Sequence, residues 1–284
     1  MTAGPTVLRS AAAIREQVTA VQGAGRRVGF VPTMGSLHAG HASLVDRAAA
    51  ECDDVVVSIY VNPTQFGPAE DFDRYPRDLA ADCQLLARHR VRWVFAAETA
   101  EIYPPGHATR VEVAGPAEPF EGRLRPGHFC GVATVVCRLF QAVPADAAFF
   151  GAKDWQQSLV IRRMVTDLGL PIEIVVCPTV REPDGLALSS RNAYLTPQQR
   201  KQARSLSAAL RQARNDWLQA VPVAEIAAGM AAVLTAAGVA VDYADVVDAE
   251  SLQPLTAADT AAIALIAGRL GETRLLDNEL LLPR

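Results

Sequence analysis

Residues 27–44 read RVGFVPTMGSLHAGHASL. The opening run, Arg27–Pro32, is apolar and predicts a strand, while helical spacing sets in at His41 and predicts a helix over His41–Glu51. The ten residues between, Pro32–His41, then form a tight strand-to-helix turn. His38 and His41 are three apart at the helix start and face one side. Gly40 between them leaves room for a ligand to approach the backbone. A helix start offers unpaired N–H groups and partial positive charge, a combination that favours phosphate. Imidazole N–H donors beside it would stabilise charge developing on a phosphoryl group. The alternative, a metal held by the two histidines, lacks a third Cys, His or carboxylate at convincing local spacing.

Working outward, the strand–helix alternation continues. Strands are predicted over Val55–Val61, Val91–Ala97, Ala147–Gly151 and Ile172–Val180, with helices over Asp78–Arg90, Phe129–Val143 and Gln156–Leu168. In the last helix Val160, Met164 and Leu168 line one face, a stripe that reads as core packing. Such alternation predicts a doubly wound, mostly parallel Rossmann-like sheet. Ligands of such sheets bind beyond the carboxyl ends of the strands. Four polar segments follow predicted strands: Pro32–His41, Asn62–Gln65, Gly151–Gln157 and Val180–Arg191.

The texture changes after about Val180. Loop Arg181–Asn192 leads to Thr196-Pro197, an N-cap followed by proline at the first helical position. Ala-rich helices run to about Gly238, and strands are expected over Val241–Val247, Ala261–Ala267 and Arg274–Leu276. The expected organisation is a Rossmann-like domain over residues 1–180 and a smaller C-terminal α+β domain over residues 181–284.

Bulk properties narrow the function. The chain has 284 residues, half of them hydrophobic, and a formal net charge of −4, which does not favour nucleic acid or an anionic membrane. Its five cysteines are scattered and form no C-x-x-C pair, so a disulfide framework or zinc site is not expected and a reducing cytosol fits best. Met1–Ala20 lacks the apolar core of a secretory signal. The uncharged run Ile226–Val241 is too short for a membrane span. Only two lysines occur, Lys153 and Lys201; Lys153 follows an apolar strand directly, and a compact ammonium there suits phosphate. Neither G-x-x-x-x-G-K-[ST] nor G-x-G-x-x-G is present, which argues against P-loop kinases and dinucleotide dehydrogenases.

The segment Val31–Leu44, VPTMGSLHAGHASL, resembles the ATP-binding segment of the pantoate–β-alanine ligase family. VSIYVNPTQF (Val57–Phe66), RYPR (Arg74–Arg77), RPGHFCG (Arg125–Gly131), FFGAKDWQQ (Phe149–Gln157), LALSSRNAYL (Leu186–Leu195) and LGETRLLDN (Leu270–Asn278) are similar to further family motifs in the same order. The resemblance implies condensation of (R)-pantoate with β-alanine, using ATP and Mg2+ and releasing AMP and pyrophosphate.

Carried onto this chain, the resemblance implies that Met34, Gly35, Ser36, Leu37, His38, Ala39, Gly40 and His41 cradle the nucleotide. His41 and His38 with Lys153 would be the catalytic groups. Gly151, Ala152, Lys153 and Asp154 would contact ribose and phosphates, Val180 the adenine, and Leu188, Ser189, Ser190 and Arg191 the triphosphate. Gln65 and Gln157 would bind pantoate, with Asn62, Tyr75 and Arg125 lining the same pocket. Thr64, Ala152 and Trp155 depart from the family's methionine, glutamate and tyrosine or phenylalanine. Ala81 precedes Asp82 where relatives carry two acidic residues, which leaves Asp82 as the candidate metal ligand. A cytoplasmic homodimer is implied too, for which the strand Val55–Val61 would offer an edge. Against these stand an aminoacyl-tRNA synthetase, which needs a basic tRNA surface, another nucleotidyltransferase, which needs neither glutamine, and a catalytically silent nucleotide-binding protein, which would lack Lys153 or a histidine.

Overall fold

Val28, Phe30 and Val31 in the first quoted strand are all fully buried, as expected of a strand covered by helices on both faces. A computed structural model describes residues 4–68, 70–255 and 260–283, so the extreme ends of both expected domains, 1–3 and 284, lie outside it. The chain divides into two compact units, one running to Ala152 and again over Gln156–Pro178, the other taking Lys153–Trp155 and Thr179 onward.

In the first unit the elements run β1 (Thr6–Leu8), α1 (Ala11–Gly23), β2 (Val28–Thr33), α2 (Ala39–Glu51), β3 (Asp54–Ile59), α3 (Leu79–Leu86), β4 (Trp93–Phe95), α4 (Thr99–Ile102), α5 (Glu121–Leu124), α6 (His128–Ala142), β5 (Ala147–Gly151), α7 (Trp155–Asp167) and β6 (Glu173–Cys177). The strands pair in the order β1-β4-β3-β2-β5-β6, all parallel. The sequence reading starts the sheet at Arg27; the structure adds β1 and α1, whose inward residues Ile14, Val18 and Val21 keep helical spacing. The Val55–Val61 segment is not an edge: β3 is paired on one side by β2 and on the other by β4. One core cluster holds residues of α1, α6 and α7, such as Ile14, Val132 and Ile161. A separate cluster holds residues of α2 and α3, such as Val45 and Leu86. The sheet is therefore wound on both faces.

From β2 the chain builds outward through β3 and β4, then crosses to the other side for β5. The reversal falls between β2 and β5, the switch point where open α/β sheets bind ligands. These two strands pair only at Gly29↔Ala147 and Phe30↔Ala148, whereas β2 and β3 pair over six positions. The carboxyl ends of β2 and β5 thus carry no mutual ladder, and their loops are left to face a ligand.

The second unit adds α8 (Pro197–Leu218), α9 (Val223–Ala236) and the antiparallel strands β7 (Ala240–Asp248), β8 (Ala262–Leu270) and β9 (Thr273–Leu281). Thr196 caps α8 in a reciprocal pair with Gln199, with Pro197 at the first helical position. Leu206, Leu210, Trp217, Ile226 and Met230 of the helices pack with Val246, Ile266 and Leu275 of the sheet. The last strand extends well past Leu276, through the buried polar pair Asp277 and Asn278. No helix among the described residues is long and apolar enough to cross a membrane.

Candidate active site

The turn after β2 is folded by short-range polar bonds. Thr33 Oγ1 donates to the Ser58 carbonyl at 2.6 Å and accepts the Gly35 N–H at 3.2 Å. Gly35 and Ser36 then take positive φ of 82° and 52° in succession. At Gly35 a Cβ would meet Asp82 Oδ2 at 3.0 Å and Ile59 Cγ2 at 3.1 Å, so the position needs glycine for space as well as for conformation. The reversal aims two backbone donors at one carboxylate: Ser36 N–H reaches Asp82 Oδ2 at 3.1 Å and Leu37 N–H reaches Oδ1 at 2.7 Å. Asp82, on α3, is only 4% exposed. Burial raises its carboxyl pKa, and the two amide bonds pull the other way without cancelling it.

His38 is the N-cap of α2, a position more often held by Ser or Asp. Its Nδ1 accepts the Gly40 N–H at 3.1 Å, while His41 Nδ1 accepts the His38 N–H at 3.3 Å. The rings lie with centroids 4.1 Å apart. A neutral imidazole whose Nδ1 accepts must carry its proton on Nε2. Both rings in that form carry Nε2–H beside the positive end of α2, a setting whose chemistry suits an anion.

The next loop is knitted to the first. Asn62, 1% exposed, accepts on Oδ1 from the Thr64 N–H and hydroxyl and from Tyr103, and donates from Nδ2 to Gln65 Oε1 at 2.9 Å and to the Gly131 carbonyl at 3.2 Å. Gln65 Nε2 donates to Met34 Sδ at 3.4 Å. Tyr75 is buried edge-on against Phe66. Arg125 holds Glu70 through Nε and Nη2, both at 2.7 Å. Burial works to raise the Glu70 pKa, but the Arg125 bond and charge outweigh it and leave it lowered.

His128 is not singled out by the sequence reading, although RPGHFCG contains it. It bridges Arg125 Nη1 at 3.0 Å and the Gln65 carbonyl at 2.8 Å. Burial first, then the Arg125 charge, push its pKa down to about 4, so the ring is neutral and donates from Nδ1 to Gln65. Asn62, Gln65 and Arg125 are thus brought into one linked cluster with Met34, while Tyr75 packs on Phe66, the residue after Gln65. Gln157, in the first turn of α7, is half-buried. Its neighbour Gln156 is consumed by structure, bonding Glu121 N–H and the carbonyls of Pro116 and Pro119.

In the second unit Lys153 stands in the short turn Ala152–Asp154, its Nζ 3.4 Å from Asp154 Oδ1. The Val180 carbonyl accepts the Leu188 N–H at 3.0 Å, and Arg181 pairs antiparallel with Ala187. Ser189 Oγ then accepts the Arg191 N–H at 3.3 Å, starting the turn Ser190–Tyr194. Val180 and Leu188–Arg191 therefore form one folded-back segment.

Asp82 is the sequence candidate for magnesium. Both of its oxygens accept amides of the histidine turn, so the structure gives it the task of shaping that turn. Among the described residues no three His, Cys, Asp or Glu side chains are grouped to hold a metal. The described residues therefore do not build a protein-held cation site.

A doubly wound parallel sheet with a His-x-Gly-His helix start beside its switch point defines a nucleotide-handling α/β enzyme. The chain belongs to the pantoate–β-alanine ligase family, whose model matches residues 6–280. It is 51% identical over 274 residues to a pantothenate synthetase of Roseiflexus sp. strain RS-1, covering 96% of this chain and 98% of the relative. Against a pantothenate synthetase of Thermus thermophilus, identity is 54% over 253 residues, covering 88% and 92%. A crystal structure of the Thermus protein superposes with a TM-score of 0.91 over 98% of this chain and 100% of that one. The pantoate–β-alanine ligase of Francisella tularensis, 35% identical with a TM-score of 0.80 and 97% of each chain covered, was crystallised with β-γ ATP and β-alanine.

Proposed function

We propose that the protein condenses (R)-pantoate with β-alanine at the expense of ATP, through a pantoyl-adenylate, releasing AMP and pyrophosphate. The observation that carries this reading is the pair of Nε2–H donors that His38 and His41 hold at the start of α2. Imidazole donors at a helix start suit phosphate, and the family supports the two acids. By family resemblance, ATP engages Met34–His41, Gly151, Ala152, Lys153, Asp154, Val180 and Leu188–Arg191. Gln65 and Gln157 bind pantoate, and Asn62, Tyr75 and Arg125 line its pocket. The nucleotide and β-alanine bound by the Francisella relative support both substrate classes.

The pantoate carboxylate attacks the α-phosphorus in line and the α–β bridging bond breaks, sending its electron pair to pyrophosphate. Nε2–H of His41 and His38 and the Lys153 ammonium stabilise the charge gathering on the phosphoryl oxygens. The β-alanine amine then attacks the acyl carbon, the C–O bond to phosphate breaks, and AMP leaves as the amine loses its proton. Gln65 is held from three directions, by Asn62, by Met34 and through its carbonyl by His128, so it arrives oriented for the pantoate hydroxyls. Magnesium, bound to the triphosphate as substrate, adds positive charge there. Family resemblance supports a cytoplasmic homodimer.

The test is AMP release by purified protein with ATP and magnesium, adding pantoate and β-alanine separately and together. AMP formed only with both acids is the expected result. A folded sample that binds ATP yet releases no AMP when both acids are present would sink the reading.

A further inference from the structure

Two adjacent polar residues, Asp277 and Asn278, are buried in β9 of the second unit at 2% and 6% exposure. An apolar pair would serve the sheet as well there, so what they bind decides why they are present. Asn278 Nδ2 donates to the Lys153 carbonyl at 2.7 Å. Asp277 takes the Arg181 guanidinium by two bonds, 2.6 Å to Oδ2 and 3.1 Å to Oδ1, and Arg181 Nη2 also reaches the Asn278 carbonyl at 3.3 Å. Arg181 stands at the base of the folded-back segment that carries Ser189–Arg191. Trp155, two residues after the lysine, is held by its indole N–H on the Ala249 carbonyl at 2.8 Å.

We infer that Asn278 and Asp277 are positioning residues, fixing Lys153 through its backbone and the Val180–Arg191 segment through Arg181. Successive side chains leave a strand on opposite faces, so one dipeptide holds a different segment on each. The platform is stiff: β9 pairs in unbroken register with β8, which is also paired by β7 and buried almost throughout. Lys153 sits in a single 3-10 turn, Ala152–Asp154, that precedes Trp155 directly. Its backbone is located by the Asn278 bond on one side and the Trp155 indole on the other, so the four-carbon side chain reaches out from a fixed point. Arg181 in turn sets where the serines begin. The two phosphate-handling segments of this unit thus share one foundation.

The inference rests on Lys153 acting on the nucleotide, and the experiment separates the two claims. Turnover, ATP Kd and Tm are measured for Asn278→Ala, Asn278→Asp, Lys153→Ala and the double variant Asn278→Ala/Lys153→Ala, at a temperature where all remain folded. Asn278→Asp keeps the shape and removes the donor, and serves where the alanine variant unfolds. Each Asn278 variant is expected to lose roughly ten- to hundredfold in kcat, as misplacing a catalytic group does, with the pantoate KM unchanged. In the Lys153→Ala background the same change is expected to cost under about twofold, because residues acting through one group are not additive. ATP Kd gives the same comparison where turnover falls below detection. Full turnover in Lys153→Ala alone would overturn the lysine reading and the inference with it. Loss in that variant combined with an undiminished further loss from Asn278→Ala would overturn the inference only, as would Asn278 variants with wild-type kcat.

Discussion

The rings of His38 and His41 stand 4.1 Å apart with each Nδ1 accepting a backbone N–H of their own turn. This one relationship fixes both the tautomer and the direction of the donors. Replacing His41 with alanine removes the proposed transition-state donor and one reciprocal cap bond. The expected result is a kcat lower by about 10²–10³ with a stability loss of about 1 kcal/mol. Steady-state kinetics beside thermal unfolding checks it; activity and stability falling in proportion would contradict it.

Asp82→Asn tests whether the buried carboxylate shapes the histidine turn. The amide keeps one acceptor and turns an NH2 toward a backbone N–H of Ser36 or Leu37. An orphaned amide costs about 1–3 kcal/mol; where the turn reshapes to relieve it, the ATP KM is expected to rise by roughly fivefold or more. Relief of the buried charge offsets part of the stability loss, so Tm is expected to move little. A variant with unaltered ATP KM but altered magnesium dependence would instead restore the metal role.

Gly131 of α6 lies against the loop that carries Thr64 and Gln65, proposed above to bind pantoate. A Cβ there would stand 2.3 Å from the Thr64 carbonyl oxygen and 2.8 Å from the Gln65 nitrogen, both backbone atoms. Gly131→Ala must therefore displace Thr64–Gln65, at about 1–3 kcal/mol. The pantoate KM is expected to rise severalfold while the ATP KM holds. Equal effects on both would show that the displacement spreads to the histidine turn.

His128 supplies a pH test. Its folded pKa of about 4 lies below the ordinary 6.5, so between these values the unfolded chain binds the extra proton. Stability from the neutral ring is complete above pH 6.5 and is lost as pH falls toward 4. His128→Asn, which keeps a donor for the Gln65 carbonyl, is expected to show a shallower decline of unfolding free energy from about pH 7 to about pH 5. Parallel declines in the two proteins would show that His128 does not contribute.

Much of the fold is legible in the sequence because its signals are local. The apolar run into Pro32, the histidine spacing and the Thr196-Pro197 cap each report on a few neighbouring residues, and strand, turn and helix follow from them. Elements lacking such signals are missed or clipped. β1 is three residues long, and Asp277-Asn278 looks like the end of a strand because partners that satisfy those side chains lie about a hundred residues away in the chain. His128 stays hidden within a motif already quoted, since nothing beside it in sequence shows that its ring meets Gln65.

The sequence by itself determined the alternation that makes a parallel, doubly wound sheet, the His-x-Gly-His helix start and the family, because periodicity, capping and motif order are properties of the linear chain. Tertiary structure alone decided that β3 is interior, that Asp82 serves backbone amides, and that Lys153 is tied to β9. Each of these depends on which distant donor meets which acceptor after burial removes water as the competing partner.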